Sequence, residues 1–149
     1  EKGAGHPIQS VSMASDASII AAGNNHGRIF IFEHRQDERK FKLLKEFVAH
    51  EAYLLKCILS KNNRSLVTTS SDQTAKIWKV GDDYKLDKVL AQHQRWVWDA
   101  AFSDDSNYLV TASSDQSAKL WELSNGNVIR NYVGHSNAVT CVALNDSST

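Results

Sequence analysis

Apolar and polar residues alternate in short runs along this chain, and polar turns separate the runs. Leu54 to Leu59 is a half-apolar run, Lys61 to Arg64 a polar turn, and Leu66 to Thr69 a second apolar run. The same order returns in Val97 to Phe102, Asp104 to Asn107 and Leu109 to Ala112. Alternation at period 2 predicts half-buried strands, and no stretch carries a convincing 3.6-residue apolar period, so the chain reads as all-β. Gly81-Asp82-Asp83 and Ser124-Asn125-Gly126-Asn127 supply the backbone angles that a hairpin needs. Four short antiparallel strands per unit follow from this spacing.

The pattern repeats in detail. Ser70 to Trp78 reads Ser-Ser-Asp-Gln-Thr-Ala-Lys-Ile-Trp, and Ser113 to Trp121 reads Ser-Ser-Asp-Gln-Ser-Ala-Lys-Leu-Trp, with the two tryptophans 43 residues apart. Each tryptophan has a histidine 28 residues upstream, His50 and His93, and Gly134-His135 followed by Val139 to Leu144 opens a further copy. A period of this size marks a repeat array rather than one irregular core. Gly5 to Phe32 is a worn copy, with strands at Ile8 to Met13 and Ser18 to Ala22 and a turn at Asn24-Asn25-His26-Gly27. Phe32 stands in its tryptophan slot, His26 in its aspartate slot and Asn24 in its serine slot. This unit is expected to fold on its hydrophobic pattern with its polar network gone. The charged stretch His34 to Lys40 is expected to be the exposed turn before an outer strand, Phe41 to Phe47.

Composition narrows the functional classes. The 17 basic and 17 acidic residues cancel and are scattered, and no Lys/Arg run interleaved with aromatics speaks for nucleic acid. No apolar segment approaches the length of a membrane span, no signal-peptide pattern opens the chain, and the first residue is Glu1, which suggests a piece of something longer. At 149 residues the chain could make one ordinary domain. Cys57 and Cys141 occupy non-equivalent repeat positions without metal spacing, as expected of two reduced thiols on strands of an intracellular protein.

Ser70, His50 and Asp72, and again Ser113, His93 and Asp115, are the ingredients of a nucleophilic triad. A hydrolase needs one such site rather than one per repeat, and it needs the serine exposed beside an oxyanion hole, whereas these serines close a strand. Each set also comes with a tryptophan at fixed spacing, Trp78 or Trp121. The histidine dipeptides Ala49-His50, Gln92-His93 and Gly134-His135, the turn aspartates and the closing pairs Trp78-Lys79 and Trp121-Glu122 resemble the WD-repeat family of β-propellers. The resemblance implies a structural relay in place of a catalytic site. In it the Trp78 indole reaches Ser70, the Ser70 hydroxyl meets one nitrogen of His50, and the other nitrogen meets Asp72. Trp121, Ser113, His93 and Asp115 repeat the arrangement. A donor-only indole, a hydroxyl and a neutral imidazole can satisfy one another in such a chain. The expected blades are roughly residues 5–47, 48–90 and 91–133, with 134–149 as the inner strand of a closing blade, in a ring of about seven.

Within the family, Arg95-Trp96-Val97-Trp98-Asp99-Ala100-Ala101-Phe102-Ser103, the run Tyr108 to Asp115, Asp72 to Trp78 and the ending Val142 to Ser147 are similar to the G-protein-β-like WD-repeat subunits of target-of-rapamycin (TOR) kinase complexes. This resemblance implies a non-catalytic cytoplasmic scaffold that binds and stabilises the kinase domain of the TOR kinase, alongside other complex subunits, in growth control. It implies no cofactor, metal, small-molecule substrate, nucleic acid or membrane insertion. The alternative is another WD-repeat adaptor, such as a ubiquitin-ligase substrate receptor or a Gβ-type signalling subunit. The residues themselves agree on class, since a rigid disc with variable loops and no nucleophile, metal cluster or phosphate loop is a binding platform. The candidate partner-binding surface is aromatic. Trp96 and Trp98 are two apart, so period 2 puts them on one side with Val97 opposite. Tyr53 holds the place of Trp96 in the preceding repeat, Phe30 is expected to extend the patch, and side chains of these types dominate interface hot spots.

Overall fold

A computed structural model describes residues 6–35 and 40–145. Strands β1 (Ile8–Met13), β2 (Ile19–Asn24), β3 (Arg28–Arg35) and β4 (Lys40–Val48) form one sheet. A second contains β5 (Leu54–Leu59), β6 (Ser65–Ser70), β7 (Ala75–Lys79) and β8 (Lys85–Leu90). The third contains β9 (Val97–Phe102), β10 (Tyr108–Ser113), β11 (Ala118–Glu122) and β12 (Asn127–Tyr132). Each is an antiparallel meander in which sequence neighbours pair, and a single turn of 3-10 helix at Val80–Asp82 leads into β8. No helix among the described residues is long and apolar enough to cross a membrane.

The sheets stack like blades, with β1 against β5 and β5 against β9 at their inner edges. Period 2 explains how each blade is buried on both faces. In the second sheet Leu66 and Trp78 pack on Ile29, Ile31 and Ala21 of the first. One residue along, Val67 and Ile77 point the other way and pack on Ala100, Leu109 and Trp121 of the third. Contiguous apolar residues in β6 and β10 are therefore the signature of a strand covered on both faces.

Residues 134–145, expected as the start of an inner strand, form no ladder with the three sheets. They lie against the third blade, where the Val139 N–H donates to the Ser113 carbonyl at 3.0 Å and the Val142 N–H to the Asp99 carboxylate at 3.1 Å. An inner strand draws its ladder from its own blade, and the described residues supply no such partner. The centre of the expected charged turn, residues 36–39, lies outside the described residues, as do residues 1–5 and 146–149.

The turn between the second and third strands of each blade passes through a left-handed residue, Gly27 at φ 78°, Gln73 at 73° and Gln116 at 69°. Only the first needs glycine for space as well as for angle. The Gly27 carbonyl accepts the N–H groups of Ala49 and His50 at 2.8 and 3.2 Å, and a Cβ there would lie 1.8 Å from the His50 carbonyl oxygen. Gly27→Ala is therefore expected to part the first blade from the β4–β5 connection and to cost about 3 kcal/mol or more in urea unfolding. A variant as stable as the parent would contradict this close approach.

Candidate functional site

The repeated polar residues converge between the blades. The Trp78 indole N–H donates to the Thr68 hydroxyl at 2.9 Å, Thr68 Oγ1 lies 2.8 Å from His50 Nε2, and His50 Nδ1 lies 2.7 Å from Asp72 Oδ2. In the third blade Trp121, Thr111, His93 and Asp115 repeat the chain at 2.8, 2.7 and 2.7 Å. Indole can only donate and an ionised carboxylate can only accept, so with a neutral imidazole between them the direction is fixed: tryptophan to threonine, threonine to histidine Nε2, histidine Nδ1–H to aspartate.

The hydroxyl in this relay is threonine, which corrects the expectation of Ser70 and Ser113. Register gives the reason. Trp78 pairs with Leu66 and Trp121 with Leu109, so the same-face residue two positions along is Thr68 or Thr111. Ser70 and Ser113 share that face but sit four residues from the tryptophan's partner, about 13 Å along the strand. They serve the turn instead, accepting the backbone N–H of Asp72 and Asp115 at 3.1 Å in each blade. The aspartates complete the turn with their other oxygen, which accepts the N–H and hydroxyl of Thr74 or Ser117. Sequence reasoning misses the threonines, although they repeat at the same spacing as the tryptophans.

Chemically, a hydroxyl, an imidazole and a carboxylate in line have the makeup of a nucleophilic triad. Thr68 and Thr111 have no exposed surface, however, and each hydroxyl already accepts an indole N–H, so no substrate carbonyl can approach. Among the described residues no group of three or more His, Cys, Asp or Glu side chains is placed to hold a metal ion. Burial works to raise the Asp72 carboxyl, but hydrogen bonds from His50 and Thr74 outweigh it and hold the group down at about 2. Asp115 is likewise held well below the carboxylate range, burial being outweighed by hydrogen bonds from Ser117, Gln94 and His93. Burial pushes His93 below the usual histidine range against the opposing pull of Asp115, which favours the neutral ring that the relay requires.

The first blade has lost the relay at each described slot: Ala22 replaces the threonine, His26 the aspartate and Phe32 the tryptophan. Its polar network is not gone altogether, as the sequence suggested. Buried Asn24 holds the turn, its side-chain oxygen accepting the N–H groups of His26 and Arg28 at 3.0 Å each.

The same end of the blades carries the aromatic residues. The Tyr53 and Trp96 rings are 6.5 Å apart between centroids, and those of Trp96 and Trp98 are 5.5 Å apart. Tyr53 is 55% exposed and Trp96 42%, while Val97 is fully buried beneath them. Trp96 precedes β9 rather than lying within it, and its carbonyl accepts the Ser114 N–H at 2.9 Å. Trp98 is half-buried, and its indole donates to the Ser114 hydroxyl at 2.6 Å. Phe30 does not join them. It lies in the middle of β3, between Ile29 and Ile31, which face the second blade, so period 2 turns it toward the opposite flank.

Repeating four-stranded blades stapled by a tryptophan-to-aspartate chain define a β-propeller of the repeat type. This chain belongs to the WD-repeat family: the model of the WD domain, G-beta repeat, matches residues 41–79, 84–122 and 126–149. It is 50% identical over 141 residues to the target of rapamycin complex subunit LST8 of Saccharomyces cerevisiae, covering 93% of this chain and 46% of that protein. It is 51% identical over 143 residues to the target of rapamycin complex subunit wat1 of Schizosaccharomyces pombe, covering 94% and 46%. The chain thus spans about half the length of the curated relatives it matches. Among solved structures, that of U3-55K superposes with a TM-score of 0.84 at 18% identity, covering 94% of this chain and 43% of that one, a likeness of fold alone.

Two outcomes follow for the relay. Thr68→Val keeps the shape but strands both the Trp78 indole and His50 Nε2, and is expected to cost about 2–4 kcal/mol, against about 1 kcal/mol for Ser70→Ala. Equal losses in urea unfolding would contradict the threonine assignment. Stability should also fall with acid in two windows. His93 is held below its ordinary value, so its contribution is full above about pH 6.5 and is lost as pH falls through the folded value. Asp72, depressed from 3.8 to about 2, adds roughly 2 kcal/mol that is present above about pH 4 and lost as pH falls toward 2. A flat stability profile from pH 7 to pH 4 would contradict the burial of a neutral His93.

Proposed function

We propose that this chain is part of a non-catalytic WD-repeat subunit of a TOR complex, and that it docks on the kinase domain of the TOR kinase through Tyr53, Trp96 and Trp98, stabilising the active enzyme in growth control. The carrying observation is the contiguous aromatic ridge, in which the Tyr53 and Trp96 rings stay about half exposed at the entrances of neighbouring blades. Rings needed only for packing belong between the blades, where Trp78 and Trp121 lie. Tryptophan and tyrosine are the types that anchor protein interfaces. The sequence similarity to TOR complex subunits across nearly the whole chain supports the choice of partner.

Truncating Trp96 removes a large exposed contact without opening the core. Trp96→Ala is expected to weaken binding to the isolated TOR kinase domain by about thirty- to a thousand-fold, the effect of losing roughly 2–4 kcal/mol. The melting temperature should hardly move. Tyr53→Ala should weaken binding less, being at the edge of the ridge, whereas Trp98→Ala should lower both affinity and melting temperature because its indole is tied to Ser114. Unchanged affinity in Trp96→Ala would overturn the docking surface, and lost affinity with a collapsed melting transition would assign Trp96 to packing.

A further inference from the structure

Beside the ridge lies a cavity of about 420 Å³ bordered by Asn25, His26, Glu51, Tyr53 and Trp96. Its walls are the two half-exposed rings, tilted by 50° to one another. Its polar side chains are Asn25, His26, Glu51 and Ser71, of which Glu51 carries a carboxylate. Glu51 is exposed and makes no ion pair among the described residues. Arg95 lies in a second cavity bordered by Gln73, Gln94, Ser114 and the same Trp96. Trp96 therefore borders one hollow that carries a carboxylate and another that carries a guanidinium.

We propose that the cavity beside Glu51 is a binding site for an arginine side chain presented by a protein partner; that the partner is the one docked over Trp96 rests on the docking reading above. Arginine matches the rings and the carboxylate. Its planar, weakly hydrated guanidinium stacks on aromatic faces, and its forked donors can pair with the Glu51 carboxylate. A lysine ammonium is a compact, strongly hydrated point charge and uses the ring faces less well. A partner carboxylate is repelled by Glu51 and is directed to the Arg95 side. The two hollows thus give the docked segment a polarity, with its basic residue on the Glu51 side of Trp96.

The probe is N-acetyl-arginine amide, titrated into the full chain while the Trp96 indole N–H resonance is followed by NMR. The expected result is a saturable shift that Glu51→Gln weakens at least about tenfold, and that N-acetyl-citrulline amide, of the same shape but neutral, does not reproduce. Glu51 is exposed, so this variant leaves folding intact. Equal binding of the citrulline amide, or an affinity unaffected by Glu51→Gln, overturns the arginine site. Kinase-domain binding measured in parallel separates the two claims. If Trp96→Ala abolishes docking while the arginine amide fails to bind, the arginine site is overturned and docking stands. If the amide binds in a Glu51-dependent way while Trp96→Ala docks normally, the arginine site stands and the docking reading falls.

Discussion

An indole N–H can only donate and an ionised carboxylate can only accept, so a hydrogen-bonded chain that begins at one and ends at the other runs in one direction. Between Trp78 and Asp72 that chain passes through a fully buried threonine hydroxyl and a buried imidazole, and both are satisfied only if each transfers its bond to the next. The arrangement ties the paired second and third strands of a blade, and the turn between them, to the connection that enters it, which the backbone ladder leaves apart. Apolar packing fills the space between the sheets, but packing is non-directional. The relay specifies which turn meets which connection. Removing one member leaves polar groups buried and unpaired, and this asymmetry makes the network costly to break.

The surface inherits that order. Asp72 and Asp115 hold the turns in which Ser71 and Ser114 lie, and these serines in turn hold the aromatic ridge. The Ser71 hydroxyl accepts the Tyr53 N–H at 3.1 Å, and the Ser71 N–H donates to the Tyr53 carbonyl at 2.9 Å. Ser114 bonds the Trp96 carbonyl and the Trp98 indole. The exposed rings are thus fixed from below by a network that begins in the core, which limits the entropy lost when a partner settles on them. The first blade shows the converse. With Ala22, His26 and Phe32 in the relay slots, its turn is held by Asn24, and the space left by Gly27 lets the next connection close on it.

The strands and the repeat are legible in the sequence because each blade restates the same alternation, and the tryptophan, histidine and aspartate of the relay because their spacing is invariant between two copies. The hydroxyl is misplaced by two residues. Thr68 and Ser70 lie on one face of one strand, and only the register opposite Trp78 decides which of them the indole reaches. A signal is nonetheless present in the chain itself. The worn copy keeps a polar residue, Asn24, at the slot of Ser70 but has Ala22 at the slot of Thr68, so the slot that turned apolar together with the loss of the tryptophan is the threonine's. Phe30, expected to extend the aromatic patch, is instead turned to the far flank by the alternation of β3. The cavity beside Trp96 cannot be read from the sequence at all, because its lining comes from the turns of two blades and from two separate connections.

The tautomers of His50 and His93 test the directed relay most directly. Long-range proton–nitrogen correlation NMR near neutral pH distinguishes a protonated Nδ1 from a protonated Nε2 in each ring. The account predicts neutral rings carrying the proton on Nδ1, facing Asp72 and Asp115, with Nε2 bare and accepting from Thr68 and Thr111. A proton on Nε2 in either ring would reverse the threonine bond and contradict the chain from tryptophan to aspartate.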